Sequence, residues 1–161
     1  MRLRLPIALR WGDFDAYGHV NNAEMLHLLE EARIQAFWRP DADEDGAGGE
    51  DAPPTAILDA RPGAEVVGLI ARQEIEYLRP IPYQRRPLEV QLWIGRMGGA
   101  SLDLCYEVFS PVGAQPRELF TRAATTLVMA ESATGRPVRI PDEHREVWAP
   151  YVEDPIEFVR R

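Results

Sequence analysis

Lysine is absent from this chain of 161 residues, and all 18 basic side chains are arginine. That removes a Schiff-base lysine and the lysine of a phosphate-binding P-loop from the candidate chemistries. Cysteine is nearly absent too. Cys105 stands alone, so neither an internal disulfide framework nor a multi-cysteine zinc site can form, and stability has to come from packing or oligomerisation. Long hydrophobic runs are also missing. No apolar stretch approaches the ~20 residues that a membrane span needs, and the opening MRLRLPIALRWGD breaks its apolar positions with arginine before a signal-peptide core forms. The expectation is a cytoplasmic protein with no membrane partner.

What is present is enough for one core. Hydrophobic residues make up 45% of the chain, and the length fits one domain, residues 1–161. The net charge is −8, but six of the acidic residues (Asp41, Asp43, Glu44, Asp45, Glu50 and Asp51) crowd into one Gly/Ala-rich segment. Setting them aside leaves 20 acidic against 18 basic residues, so the acidity is local. Residues 41–54 read as a flexible acidic loop. No basic stripe with interleaved aromatics appears, which argues against a nucleic-acid partner.

Five stretches alternate with the period of half-buried strands. Leu3, Leu5, Ile7, Leu9 and Trp11 make the first, and Leu69, Ala71, Ile75 and Tyr77 the second. Leu88, Val90, Leu92 and Ile94 make the third, and Leu102, Leu104, Tyr106 and Val108 the fourth. The fifth runs from Leu119 to Ala130 and is rich in Thr and Val. One long stretch has helical period: Met25, Leu28, Leu29, Ala32 and Ala36 share a face, with Glu24, His27, Glu31 and Gln35 opposite. Asn21 and Asn22 suit its start and Pro40 its end. A short second helix is expected over 141–149, opened by Pro141-Asp142. Short Gly- and Pro-rich connections join strands three to four and four to five, as in antiparallel hairpins. One strand, one helix and a four-stranded meander predict an α+β domain whose sheet lays its apolar face on the helix.

The chemistry concentrates in WGDFDAYGHVNN, Trp11 to Asn22, at the mouth of that helix. An aspartate just before a helix can place its carboxylate beside free N–H groups that form a ready anion site. Equally, Asp13, Asp15, Asn21 and Asn22 are the residue types that cap helices and close turns. His19 either orients Asp15 and serves the substrate or hydrogen-bonds the loop backbone. Asp13 reads as a structural partner of Arg10. His27 and His144 read as solvated, and Glu30 and Arg33, flanking the apolar stripe, as an i, i+3 pair. Asp13, Asp15 and His19 lack the third imidazole or H-x-x-x-H spacing that would support a metal, so none is expected. Cys105, between Asp103 and Glu107 on its strand, has acidic neighbours that raise a thiol pKa and disfavour a cysteine nucleophile.

WGDFDAYGHVNN, the helix ending EEAR, and IEYLRPIPY about forty residues later together resemble the hotdog-fold acyl-CoA thioesterases of the 4-hydroxybenzoyl-CoA thioesterase-like family. The likeness runs from residue 5 to about 140. It implies a five-stranded antiparallel sheet wrapped around one long helix, a homodimer or dimer of dimers paired edge to edge, and an acyl-thioester site at the subunit interface. It implies Asp15 as the catalytic carboxylate and the main-chain amide of Asn22 as the group that polarises the thioester carbonyl. Relatives commonly carry an aromatic residue where this chain has Met25, so Met25 is assigned to the acyl pocket. The turn between the third and fourth strands points to Arg96 and Ser101 for the phosphates of coenzyme A, with Arg85 and Arg86 as second choice. The expected reaction is hydrolysis of an acyl-CoA to free acid and coenzyme A, without a cofactor. The rivals are a hotdog hydratase or dehydratase, whose G-D-x-N-P-x-H string GDFDAYGH does not match, and a non-catalytic acyl-thioester binding protein.

Overall fold

The computed structural model describes residues 1–41, 52–59 and 61–159. Most of the expected acidic loop, 42–51, lies outside the described residues. The chain forms β1 (Leu3–Ile7), α1 (Asn22–Phe37), β2 (Val66–Tyr77), β3 (Leu88–Met97), β4 (Ser101–Phe109), β5 (Leu119–Glu131) and α2 (Asp142–Trp148). All strand pairs are antiparallel, and the five-stranded sheet has the order β1-β3-β4-β5-β2.

α1 forms because its apolar positions recur on one face, and Asn21 caps it by accepting from the Ala23 amide at 2.8 Å. Met25, Leu28, Leu29, Ala32, Ala36 and Phe37 turn inward, where the small Ala32 and Ala36 let the helix approach the sheet. They meet Leu88, Val90, Leu92 and Ile94 of β3 and Leu102, Leu104, Tyr106 and Val108 of β4. Beyond α1, the chain returns through Leu58, whose amide donates to the Phe37 carbonyl at 2.8 Å, and Arg39 donates back to Leu58 at 2.9 Å. Trp148 of α2 seals this end, edge-on to Phe37 and donating to the Thr55 carbonyl at 3.1 Å.

Three sequence expectations need correction. The first strand stops at Ile7; Trp11 enters a short 3-10 turn, is 77% exposed and stacks on Tyr83 at 4.4 Å. The meander comprises only β3, β4 and β5, because β2 pairs with β5 at the far edge. Its connection to β3 holds Pro80, Pro82 and Pro87, unsuited to a tight hairpin. Finally, the middle of β2 is exposed, including Leu69 and Ala71. An apolar alternation marks a strand but does not by itself say what covers it.

Cys105 faces away from α1 and is buried, as the 152–159 segment crosses that side of the sheet. The crossing is tied down where Trp93 Nε1 donates to the Asp154 carbonyl at 2.9 Å and the Glu153 amide donates to the Ile94 carbonyl at 3.0 Å. Burial pushes the Cys105 thiol up, with Asp103 adding to the effect, so the inert reading of this cysteine gains a structural reason.

Candidate active site

The loop before α1 is shaped by Asp15. Its Oδ1 accepts from the Tyr17 amide at 2.9 Å and the His19 amide at 3.3 Å. The Asp15 amide donates to the His19 carbonyl at 3.0 Å, and the turn closes through Gly18, whose φ of +76° favours glycine. Among the described residues, the second carboxylate oxygen, Oδ2, has no hydrogen bond. The two sequence readings of Asp15 are therefore compatible: one oxygen builds the loop while the other remains available.

Asp13 behaves differently. It is 1% exposed and holds Arg10 through Oδ2 to the main-chain amide at 2.6 Å and Oδ1 to Nη2 at 3.0 Å. Its main-chain carbonyl accepts from the Asn21 amide at 2.7 Å, fixing where the helix begins. Asp13 is thus the partner of Arg10 that the sequence suggested.

A groove of about 330 Å³ lies at the helix mouth, lined by Asp15, His19, Asn22 and Met25 together with Tyr77, Arg79, Ile81 and Thr121. The structure thus gathers the expected Asp15, His19, Asn22 and Met25 around one space. The Asn21 cap takes the Ala23 amide, and the Asn22 amide, in the first turn, has no carbonyl within the helix to pair with. It is left as a free donor at the positive end of the helix dipole. His19 meets Asp15 through its main chain, and its strand-like bridge to Pro82 secures the loop against the 78–87 connection.

Other expected residues lie elsewhere. Arg96 and Ser101 flank the β3–β4 turn, where Ser101 pairs with Val128, whereas Tyr77 beside the groove pairs with Thr121. Seven residues of β5 separate those positions, about 24 Å. Within one chain Arg96 and Ser101 are not part of the groove; Arg96 is largely exposed and faces Asp103 at 3.5 Å. Arg85 and Arg86 lie on the connection that follows the groove residues Leu78 to Ile81. Glu30 pairs with Arg33 at 3.0 Å as expected, two turns along α1 from the groove. His27 is exposed, and Glu24 at 2.9 Å raises its pKa. His144 is not solvated: it is half-buried against Trp148, and burial lowers its pKa.

Tyr77, Arg79 and Thr121 escaped the sequence reading as site residues. Tyr77 and Arg79 sit in the IEYLRPIPY string, which was legible as a signature but gave no sign of which side chains face the helix mouth. Tyr77 donates its hydroxyl hydrogen to the Asn22 carbonyl at 2.6 Å. Arg79 pairs with Glu118 at 2.9 Å. Thr121 arrives only through the β2–β5 register. Among the described residues, no group of three or more His, Cys, Asp or Glu side chains could hold a metal ion.

Comparisons with known proteins agree with the fold. The chain is similar to a Thermus thermophilus thioesterase solved with coenzyme A and zinc, at 30% identity over 92% of each chain and a TM-score of 0.64. The fold is shared with a DHNA-CoA thioesterase of Staphylococcus aureus at 20% identity, covering 92% of this chain and 89% of that one, with a TM-score of 0.66. It is also shared with the PA5185 protein of Pseudomonas aeruginosa at 24% identity, covering 96% and 94%, with a TM-score of 0.69. The search of curated proteins gives no match. The family model of the thioesterase-like superfamily matches residues 9–147, and the chain belongs to that superfamily as a hotdog-fold thioesterase.

Proposed function

We propose that the substrate is an acyl-CoA, hydrolysed by water to a free carboxylic acid and coenzyme A. The observation that carries this reading is the joint placement of Asp15, with its unbonded Oδ2, and the unpaired Asn22 amide in one groove that also holds Met25. The thioester carbonyl oxygen points to the Asn22 amide, which stabilises the negative charge that grows as the carbon becomes tetrahedral. Asp15 either attacks that carbon itself, forming an anhydride that water then opens, or removes a proton from attacking water. In both routes the C–S bond breaks and the thiolate leaves, taking a proton. His19, lining the groove, is placed to give it. No cofactor enters either route.

Coenzyme A is supported as the carrier by the Thermus thermophilus relative, solved with coenzyme A. Arg79 lines the groove and suits its phosphates, whereas Arg86 lines a separate groove beside Leu5 and Pro6 of β1. Arg96 and Ser101 serve only if another subunit brings its β3–β4 turn to this groove.

A homodimer accompanies the reading, and dimers could pair again. The two sheet edges differ: β1 is five residues long and contains Pro6, whereas β2 is twelve residues long, lacks proline and exposes Leu69 and Ile70. Short, proline-bearing edges resist pairing, while long apolar ones invite it. Because Tyr77 ends β2, a second copy along that edge would wall the groove.

Thiol release across a panel of acyl-CoAs tests the reaction, since a hydratase or a binding protein releases none. Asp15→Asn keeps the volume and removes the charge, so turnover is expected to fall by at least ~100-fold with the fold intact. Near-normal turnover in Asp15→Asn, with loss in Glu30→Gln, would overturn the assignment.

A further inference from the structure

A cavity of about 230 Å³ lies at the opposite end of α1 from Asp15, between Trp38 at the helix end, the start of β2, the end of β5 and α2. It is separate from the catalytic groove of the same chain. Its residue Val66 stands eleven residues of strand before Tyr77 of the groove, roughly 35 Å away. Its walls are pinned by main-chain bonds. The Arg39 amide donates to the Leu58 carbonyl at 2.9 Å, the Val138 amide to the Met129 carbonyl at 2.8 Å and the Ile140 amide to the Gly99 carbonyl at 2.8 Å. The space is therefore formed before any ligand arrives, as small-molecule sites usually are.

The lining combines two kinds of chemistry. Trp38, Leu58, Val66, Met129, Val138 and Ile140 give it an apolar floor, and Arg39, Arg139 and His144 stand around that floor with Asp59 and Glu65. These charged groups are not equally engaged. Asp59 is held by Arg61, which donates from Nε at 2.9 Å and from Nη2 at 2.7 Å, and Arg139 reaches Asp142 at 3.4 Å. Among the described residues, Arg39 has no ion pair and the His144 ring no hydrogen bond. The two are close enough for the Arg39 charge to oppose protonation of His144. A guanidinium and an imidazole held within electrostatic reach of each other, beside an apolar floor, are matched by an anion placed between them.

We infer that this cavity is a second binding site and that its ligand is a small apolar monocarboxylate, with its hydrocarbon part on the Leu58, Met129 and Ile140 floor and its carboxylate between Arg39 and His144. A guanidinium only donates, and a carboxylate can take two of its N–H groups at once. Size and charge narrow the class further. The volume suits one short chain or ring rather than a large cofactor, and a nucleotide would bring several negative charges beside Asp59 and Glu65. The inference does not depend on the proposed hydrolysis. Under that reading a free carboxylic acid is the product, so the site is matched to what the enzyme releases.

Calorimetry on the full chain with octanoate, octan-1-ol, acetate and adenosine 3′,5′-bisphosphate tests it. Octanoate is expected to bind with a Kd of about 1 mM or tighter. Octan-1-ol lacks the charge and acetate lacks the chain, so each should bind at least about 10-fold more weakly. Arg39→Gln should weaken octanoate by about 10-fold or more. Because octanoate can also enter the catalytic groove, its location is read from His144 itself, whose imidazole resonances should shift on binding. Arg39, Arg139, Asp59 and Glu65 surround that ring across the cavity, and Glu143 adjoins it on α2. A carboxylate beside the ring favours its charged form, so octanoate affinity should rise from about pH 7.5 to about pH 5.5, and the rise should vanish in His144→Gln. Absent octanoate binding, unmoved His144 resonances, equal affinity in Arg39→Gln, or tighter binding of the bisphosphate overturns the inference. No thioester is used, so a protein that releases no thiol from any acyl-CoA loses the proposed hydrolysis without touching this result.

Discussion

The hydroxyl of Tyr77 donates to the main-chain carbonyl of Asn22 across 2.6 Å, joining the last residue of the edge strand β2 to the first residue of α1. The bond ties together the two walls of the groove at the helix mouth, on which these residues stand. Tyr77→Phe keeps the ring and removes the bond, whose net worth is about 1 kcal/mol. Turnover is expected to fall several-fold with little change in Tm, measured by thiol release and thermal melts. A fall as large as that of Asp15→Asn would give the phenol a direct chemical role instead.

Met25 is buried at the groove floor in the first turn of α1. A flexible thioether adapts to its neighbours where a ring would form a rigid plate. Flexible aliphatic acyl groups are expected to be preferred over benzoyl, and Met25→Tyr should move that preference toward short or aromatic groups by roughly 10-fold or more. Specificity constants for a medium-chain acyl-CoA and benzoyl-CoA in both proteins decide the matter; an unchanged ratio removes Met25 from the pocket.

Ala71 has no partner on β5, because the β2–β5 register skips from Ile70 to Arg72. A proline at this bulge costs the protomer no ladder bond of its own, yet it blunts the free edge. Ala71→Pro is therefore expected to raise the monomer fraction at micromolar concentration and to lower activity with it, while the circular dichroism of the chain persists. Light scattering that shows an unmodified protein already monomeric and active would contradict the interfacial site.

His144 gives a pH dependence with a definite sign. Burial against Trp148, with Arg39 adding to it and Glu143 opposing, lowers its pKa below 6.5 in the folded chain. The unfolded chain then takes the proton first, so stability declines as pH falls below about 6.5 toward the lowered value. His27, raised by Glu24, works the other way, stabilising below 6.5 and losing that contribution as pH rises through its raised value. His144→Gln should lose less Tm than the unmodified protein between about pH 7.5 and about pH 5.5, whereas His27→Gln should lose more.

Much of this architecture was readable because its causes are local. The helix stripe from Met25 to Ala36, the alternations of β3, β4 and β5, and the polar cluster from Asp13 to Asn22 each lie within a few turns of sequence. Asp15, His19, Asn22 and Met25 are neighbours along the chain and become neighbours in space for that reason. What was missed depends on distant pairing. The prolines after β2 argue against a tight hairpin to β3, but nothing near them names β5 as the partner, so Thr121 could not be assigned to the site and Leu69 was taken for a half-buried residue. The burial of Arg33 was missed for another reason: a charge at a stripe's edge is ordinarily solvated, and only the tertiary structure shows the helix rolled so that this one is enclosed.

The lone Cys105, shut beneath the 152–159 segment, also makes the folded protein silent toward thiol reagents. In a thiol-release assay every signal then belongs to coenzyme A, so the enzyme can be used at high concentration to detect slow substrates. The same sulfur becomes a clock when substrate is left out. Gly95 and the main chain at Ile156 lie against it, so the rate at which a reagent labels it reports how often the C-terminal crossing lifts from the sheet, one event per chain, with no probe to be introduced.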